Sequence, residues 1–207
     1  MDYILLYYIL ENSQIKPLTR TDQIKDLGIL LDERLTFSDH INDKINKAFS
    51  MLGIIKRNFK HLTIQSFIML YKNMVRSHLD YCSSVWSPYM IKDIEALEKV
   101  QKRATKILPQ LKHMNYSDRL KACKLPSLHY RRIRGDMIET YKIMTGKYDI
   151  DIAPSLVGVC SSVTRGHSLR LQQIARNMTY ANRIVNIWNS LPSYVVSAET
   201  VNCFKQD

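Results

Sequence analysis

Glycine and proline are scarce in this chain, six of each in 207 residues, and no tract is dominated by one or two residue types. That argues against a collagenous, low-complexity or disordered chain. The four cysteines, Cys82, Cys123, Cys160 and Cys203, stand 41, 37 and 43 residues apart. With no Cys-x-x-Cys pair, and His167 isolated seven residues beyond Cys160, neither a zinc site nor a disulfide framework is expected. Separate thiols suit a reducing intracellular compartment, nuclear or cytoplasmic. Long apolar runs are missing too. Met1 to Leu10 is apolar, but a bilayer needs about 20 such residues. It also lacks the basic start and small-residue cleavage site of a secretory leader, so a buried strand is expected there. No Gly-x-Ser-x-Gly, His-Glu-x-x-His, P-loop or dinucleotide-binding glycine pattern occurs. His40, His61, His78, His113, His129 and His167 are scattered without ligand or triad spacing. No cofactor, metal or small-molecule substrate is expected.

Acidic residues are few where basic ones are dense. The chain carries 30 Lys and Arg against 19 Asp and Glu. Between Lys99 and Arg134 there are eleven basic residues and one acid, Asp118, a net of +10 in 36 residues. That block accounts for nearly all of the chain's +11. It points to a polyanionic partner, nucleic acid before a membrane surface. A merely solvated basic face is the alternative.

What is present is mostly helical periodicity. Leu5 to Leu10 and Gln14 to Leu18 flank a turn-like Glu11-Asn12-Ser13 and read as a hairpin. Ile29 to Leu31 is a short buried strand entered through Gly28. From Ser38, a plausible N-cap, the period becomes 3.6. Ile41, Ile45, Ala48, Phe49, Leu52, Ile55 and Phe59 form one stripe, with Lys44, Lys47 and Arg57 off it. Thr63 caps a second helix whose Phe67, Leu70, Tyr71, Met74 and Val75 face inward. Asp80 to Pro88 is an aromatic-rich connector.

A third helix, from about Lys92 to Leu108, has Ile94, Leu97, Val100, Ala104, Ile107 and Leu108 on its apolar side. Lys99, Lys102, Arg103 and Lys106 centre about 150° away and form a ladder of cations. A short helix, Ser117 to Cys123, precedes a long one from near Ser127 to Gly146. In the long helix Tyr130, Ile133, Met137, Tyr141 and Met144 face inward, and Arg131, Arg132 and Lys142 face outward. Leu169 and Leu171 hint at a short strand. A late helix carries Ile184, Val185, Ile187, Trp188 and Leu191 to Pro192. Ser197 would cap one more, which ends at Asp207 with its pattern barely begun.

Lys25-Asp26-Leu27-Gly28, the block from His78 to Tyr89, Gln101 to Lys106, Tyr130 to Met137, Arg165 to Leu169 and Val185 to Pro192 occur in one order. Together they resemble the region downstream of the catalytic core in reverse transcriptases of non-LTR retrotransposons, the jockey-like and CR1-like LINE elements. The resemblance runs from Tyr7 to Lys205. It implies that Asp26, Leu27 and Gly28 form the primer-grip-like turn ending the palm, and that the helices from Ser38 to Leu108 form the thumb. Ser77 stands where the family commonly has Pro, and Gln110 and Lys124 where it has Gly.

In that family, nucleotidyl transfer uses carboxylates holding two metal ions about 3.5–4 Å apart, including a Tyr/Phe-x-Asp-Asp turn. No Asp-Asp pair occurs in this sequence. Asp26 and Asp32 do not match the family's ligands and read as solvated turn residues. The chain is therefore expected to be non-enzymatic, a segment whose parent family is RNA-directed DNA polymerase and whose partners are RNA or an RNA–DNA duplex, and the rest of a polymerase. The basic ladder gains a role in clamping backbone phosphates. Lys99, Lys102, Arg103 and Lys106 are the first candidates for nucleic-acid binding, and Arg131, Arg132 and Arg134 the second, Arg134 with a structural alternative. Tyr71, Tyr81, Trp86 and Tyr89 read as core before base-stacking residues.

The expected fold is mainly α. A small β-hairpin remnant of a palm occupies residues 1–37, a three-helix thumb-like bundle 38–108 and a helical C-terminal region 109–207. Two other readings stay open: a non-catalytic helical protein-interaction module, and a gene-model fragment without selected function.

Overall fold

The computed structural model describes residues 8–11, 14–17, 20–149, 151, 153, 154, 156, 158, 167–172 and 180–205. The readings made for residues 1–7, Cys160 and 164–166 lie outside them. By internal packing the chain divides into residues 1–40 and 41–207. The architecture is mainly α, as expected.

The first unit contains two antiparallel hairpins. Strand β1 (Tyr8–Glu11) pairs with β2 (Gln14–Pro17), and β3 (Gln23–Asp26) with β4 (Ile29–Asp32). The β3–β4 turn is the two-residue pair Leu27-Gly28, with φ of 43° and 82°. Positive φ at both central positions is what the right-handed twist of a tight hairpin requires, and Gly28 supplies it without a Cβ penalty. Ile29 is buried, whereas every residue of β3 is exposed. Asp32 then organises the passage out of β4. Its carboxylate accepts hydrogen bonds from the backbone N–H groups of Arg34 (3.1 Å), Thr36 (3.0 Å) and Phe37 (2.6 Å) and from the Thr36 hydroxyl (3.2 Å). Asp32 is thus an acceptor hub, not the solvated turn residue expected from sequence. Buried His40 accepts the Leu30 N–H on Nδ1 at 3.1 Å.

Helix α1 (Ser38–Asn58) opens the second unit's bundle. Its buried stripe is Ile41, Ala48, Leu52 and Ile55, and Lys44 is buried among them rather than off the stripe. Phe59 lies beyond the helix and is 43% exposed. Thr63 caps α2 (Ile64–Leu70) in a reciprocal capping box with Ser66. The run continues through a π-helical turn, Tyr71–Arg76, into α3 (Ser77–Asp80). The extra residue of a π turn shifts phase without breaking the helix, and Phe67, Tyr71, Val75 and Leu79 all stay fully buried. Where a connector was expected, Cys82 at φ 48° launches a short helix, α4 (Ser83–Trp86). Trp86 is fully buried.

Helix α5 (Ile91–Thr105) ends three residues earlier than its pattern suggested, and a 3-10 turn, Pro109–Leu111, follows. Leu97, Val100 and Ala104 are fully buried. Helix α6 (Tyr116–Cys123) is capped by Asn115, and α7 (Leu128–Met144) by Ser127, each accepting an N–H in the first turn. Met137 and Tyr141 are buried as expected, but Tyr130 is 58% exposed and Arg132 is 5% exposed. Both reverse the sequence reading. Helix α7 buries a second row at i, i+4 spacing, Leu128, Arg132, Asp136 and Thr140, so a single apolar stripe describes only half of its packing.

The C-terminal core gathers Met137 and Tyr141 of α7, Leu171, then Ile184, Val185 and Trp188 of α8 (Tyr180–Ser190). Val195 and Val196 of α9 (Ser193–Val196) and Phe204 of α10 (Val201–Phe204) complete it. Leu171 forms a bridge with Gly158, and the Asn189 amide clips both its N–H and its carbonyl at 2.9 Å. Thr200, not Ser197, caps the last helix, because residues 193–196 already form α9.

Candidate nucleic-acid interface

Lys99, Lys102 and Arg103 are exposed along α5 and Lys106 at its C-terminal cap, and Leu97, Val100 and Ala104 are buried on the other side of the helix. The ladder divides into different surroundings, however. Lys102 sits 5.4 Å above the Tyr116 ring and Arg103 5.3 Å above that of Phe49, so both stems are held by aromatic faces.

Arg103 and Lys106 line one wall of a groove of about 490 Å³, with Ile107 and Pro109 beside them. The opposite wall comes from α1, which contributes Phe49, Leu52, Gly53 and Lys56, and Lys112 completes the lining. A Cβ built on Gly53 would meet nothing within 4 Å. Four cations thus converge over an apolar floor, and no carboxylate is among the lining residues. Lys56 lies in the last turn of α1. Its nearness to Lys106 depends on how α1 packs on α5, and spacing along one helix carries no signal for it. Sequence reasoning missed both Lys56 and Lys112, although Lys112 falls inside the basic block.

A polar network lies behind α5. Buried Gln101 accepts the Tyr71 hydroxyl at 2.6 Å and donates to Tyr116 (3.2 Å) and to the Pro126 carbonyl (2.9 Å). Tyr116 in turn donates to Glu98, whose other oxygen accepts the N–H groups of Leu128 (2.9 Å) and His129 (3.3 Å) at the start of α7. Burial pushes the phenols of Tyr71 and Tyr116 far above their ordinary range, with the Glu98 carboxylate adding to the rise at Tyr116. Both remain neutral donors. This network fixes α5, and with it the groove wall, against α6 and α7.

The second-choice arginines lie elsewhere. Arg131 pairs with Asp80 (Nε–Oδ2 2.7 Å), which Arg76 also approaches at 3.3 Å. Arg134 donates to the Lys205 carbonyl, the structural role considered for it. Arg132 is buried above Trp86, 5.7 Å from the ring centroid. It is therefore not the outward-facing contact expected. Of the four aromatics, Tyr71 and Trp86 are core, while Tyr81 and Tyr89 are 49% and 40% exposed. The Asp26-Leu27-Gly28 turn belongs to the other unit. Among the described residues, no three His, Cys, Asp or Glu side chains converge to hold a metal, and no helix is long and apolar enough to cross a membrane.

Two curated proteins show similarity to the chain. An uncharacterized protein of Caenorhabditis elegans is 27% identical over 130 residues, 61% of this chain and 66% of its own length. The probable RNA-directed DNA polymerase from transposon X-element of Drosophila melanogaster is 24% identical over 99 residues, 44% of this chain and 10% of its own length. The chain is thus weakly and partially similar to a transposon polymerase. It aligns with under two thirds of the worm protein and a small fraction of the fly one. No family model matches it, and no solved structure does.

Proposed function

We propose that this chain is a C-terminal, thumb-like segment of a non-LTR retrotransposon reverse transcriptase, and that it binds the backbone of RNA or an RNA–DNA duplex in the groove between α1 and α5. The convergence of Lys56, Arg103, Lys106 and Lys112 over an apolar floor is the observation that carries this reading. Phosphodiesters lose little on leaving water when several cations and a non-competing floor receive them. Partial similarity to the transposon polymerase supplies the context. The segment contributes binding, not nucleotidyl transfer, inside the cell, and the rest of a polymerase is its natural partner.

Binding of a fluorescent RNA–DNA duplex to the full chain, measured across salt concentrations, tests the reading. Four phosphate contacts imply a log–log salt slope of about −3 to −4. Lys56→Glu with Lys106→Glu and Lys112→Glu should abolish binding, and an unchanged affinity and slope in that variant would sink the proposal. A second reading, a protein-interaction module, is favoured by one feature. Tyr81, Val85, Tyr89, Met90 and Ile91 are each 39–73% exposed within one short segment. Absence of salt-dependent duplex binding, together with self-association of the full chain that is lost on Ile91→Ser, would support that reading instead.

A further inference from the structure

Among the described residues no carboxylate forms an ion pair with Arg132, although the charges of Asp80, Glu98 and Asp136 favour its cation. Only 5% exposed, it has an Nε and an Nη2 that are shielded from solvent, and no hydrogen-bond acceptor reaches either among the described residues. A buried guanidinium without hydrogen bonds is costly and is rarely left so. The nearby carboxylates are all engaged by other groups. Asp80 pairs with Arg131 and Arg76. Asp136 pairs with Arg183. Glu98 takes Tyr116 and the first N–H groups of α7.

Arg132 is also part of a cavity wall. A cleft of about 230 Å³ runs between the Asp80–Ser83 corner and α7, lined by Arg131, Arg132 and Arg134 together with Ser83, Tyr130 and Gly135. Three guanidiniums face one carboxylate there, Asp80. The volume admits one tetrahedral oxyanion with a small substituent. Ser83 adds a hydroxyl donor, and the planar arginine forks match the oxygens of a phosphate.

We propose that this cleft binds a single phosphate group, free or terminal on a nucleotide, with Arg132 as its buried anchor and Arg131 and Arg134 at the mouth. The cleft shares no lining residue with the α1–α5 groove, so the proposal stands or falls independently of duplex binding. Nε and Nη2 lie behind the solvent-accessible wall of the cleft, so when the anion enters the Arg132 side chain turns to bring them onto its oxygens and gains the acceptors it lacks. Trp86, which lies beneath it and donates its indole N–H to the Tyr81 carbonyl at 2.7 Å, senses the change.

Inorganic phosphate is titrated into the full chain at constant ionic strength, with chloride as the control anion and a nucleoside 5′-monophosphate as a second arm. The readouts are the thermal midpoint and the indole N–H resonance of Trp86. Saturable shifts in both with phosphate, absent with chloride, are expected. Tighter binding in the nucleotide arm would identify the terminal-phosphate source, and equal binding the free anion. Arg132→Met, which keeps the stem on Trp86, should remove the response. Arg131→Gln and Arg134→Gln, changes at exposed positions, should each weaken it about tenfold, which keeps the test decisive if the buried variant does not fold. No response beyond chloride, or an undiminished response in Arg132→Met, would overturn the proposal.

Discussion

Arg183 grips Asp136 with two hydrogen bonds, Nε to Oδ2 at 2.9 Å and Nη2 to Oδ1 at 3.2 Å, and the same guanidinium reaches the carbonyls of Ser84 (2.8 Å) and Ser87 (3.2 Å). One side chain of α8 thus joins α7 to the segment around α4. Burial holds the Asp136 carboxyl above its ordinary range, with the hydrogen bonds and charge of Arg183 and the charge of Arg132 pulling the other way. Removing one partner leaves the other buried and unpaired. Arg183→Leu should therefore cost about 3–5 kcal/mol in denaturant unfolding. Asp136→Asn combined with Arg183→Gln should cost clearly less than Arg183→Leu, because no charge is stranded. An additive double-variant loss would mean the pair is not coupled.

The Asp32 hub makes a pH prediction. Partial burial raises its pKa, but the hydrogen bonds from Thr36, Phe37 and Arg34 outweigh that and hold the carboxyl below its ordinary range. A depressed carboxylate contributes stability that is fully present above the unfolded-state value of about 3.9 and is lost as pH falls through the lower folded value. The carboxyl-carbon resonance of Asp32 should titrate below that of an unstructured aspartate. Asp32→Asn, which turns a donor toward the same N–H groups, should cost about 1–2 kcal/mol at neutral pH. Its stability should also depend less on pH in the acid range. A titration at the ordinary aspartate value would contradict the hub.

Lys124 adopts φ 49° and ψ 43° just past α6, a left-handed C-terminal cap made by a side chain that disfavours it. The resemblance to retrotransposon polymerases places a glycine here. Lys124→Gly should stabilise the chain by about 0.5–1 kcal/mol, the relief of left-handed strain exceeding the added flexibility of the unfolded chain. Gln110 departs from the same pattern, yet it lies within the 3-10 turn Pro109–Leu111 and not at a positive φ. Gln110→Gly should bring no such gain in thermal midpoint.

These residues show what a single sequence discloses. The stripes of α1, α2 and α5 were legible because apolar side chains at helical spacing have one low-energy destination, as Leu97, Val100 and Ala104 show. Thr63 was legible as a cap for the same local reason, and Ser127 as the neighbourhood where α7 starts. Arg132 and Lys44 were not, since a long cationic side chain reads as solvent-facing until its neighbours are known. Tyr130 has the right angular position for the inner stripe but borders the cleft, so its face is left open. Asp136 and Arg183 are 47 residues apart, and no local pattern marks such a pair. The candidate interface was half legible, with Arg103 and Lys106 visible on α5 and their counterparts on α1 and beyond the 3-10 turn invisible.

That half-legibility yields a discriminating experiment. If a linear ladder on α5 grips nucleic acid, Lys99 and Lys102 should matter as much as Lys106. If the groove does, they should not, because neither lines it, whereas Lys56 and Lys112 do. Lys99→Gln with Lys102→Gln should therefore lower duplex affinity only slightly and change the salt slope by less than about one unit. Lys56→Gln with Lys112→Gln should weaken binding several-fold and reduce the slope by about two. Gly53→Leu supplies a charge-neutral check. The Cβ meets nothing within 4 Å and the position lines the groove, so a leucine there should obstruct the backbone while leaving unfolding stability unchanged or slightly raised. A larger loss from the Lys99 and Lys102 pair than from the Lys56 and Lys112 pair, with no effect of Gly53→Leu, would return the interface to the α5 ladder.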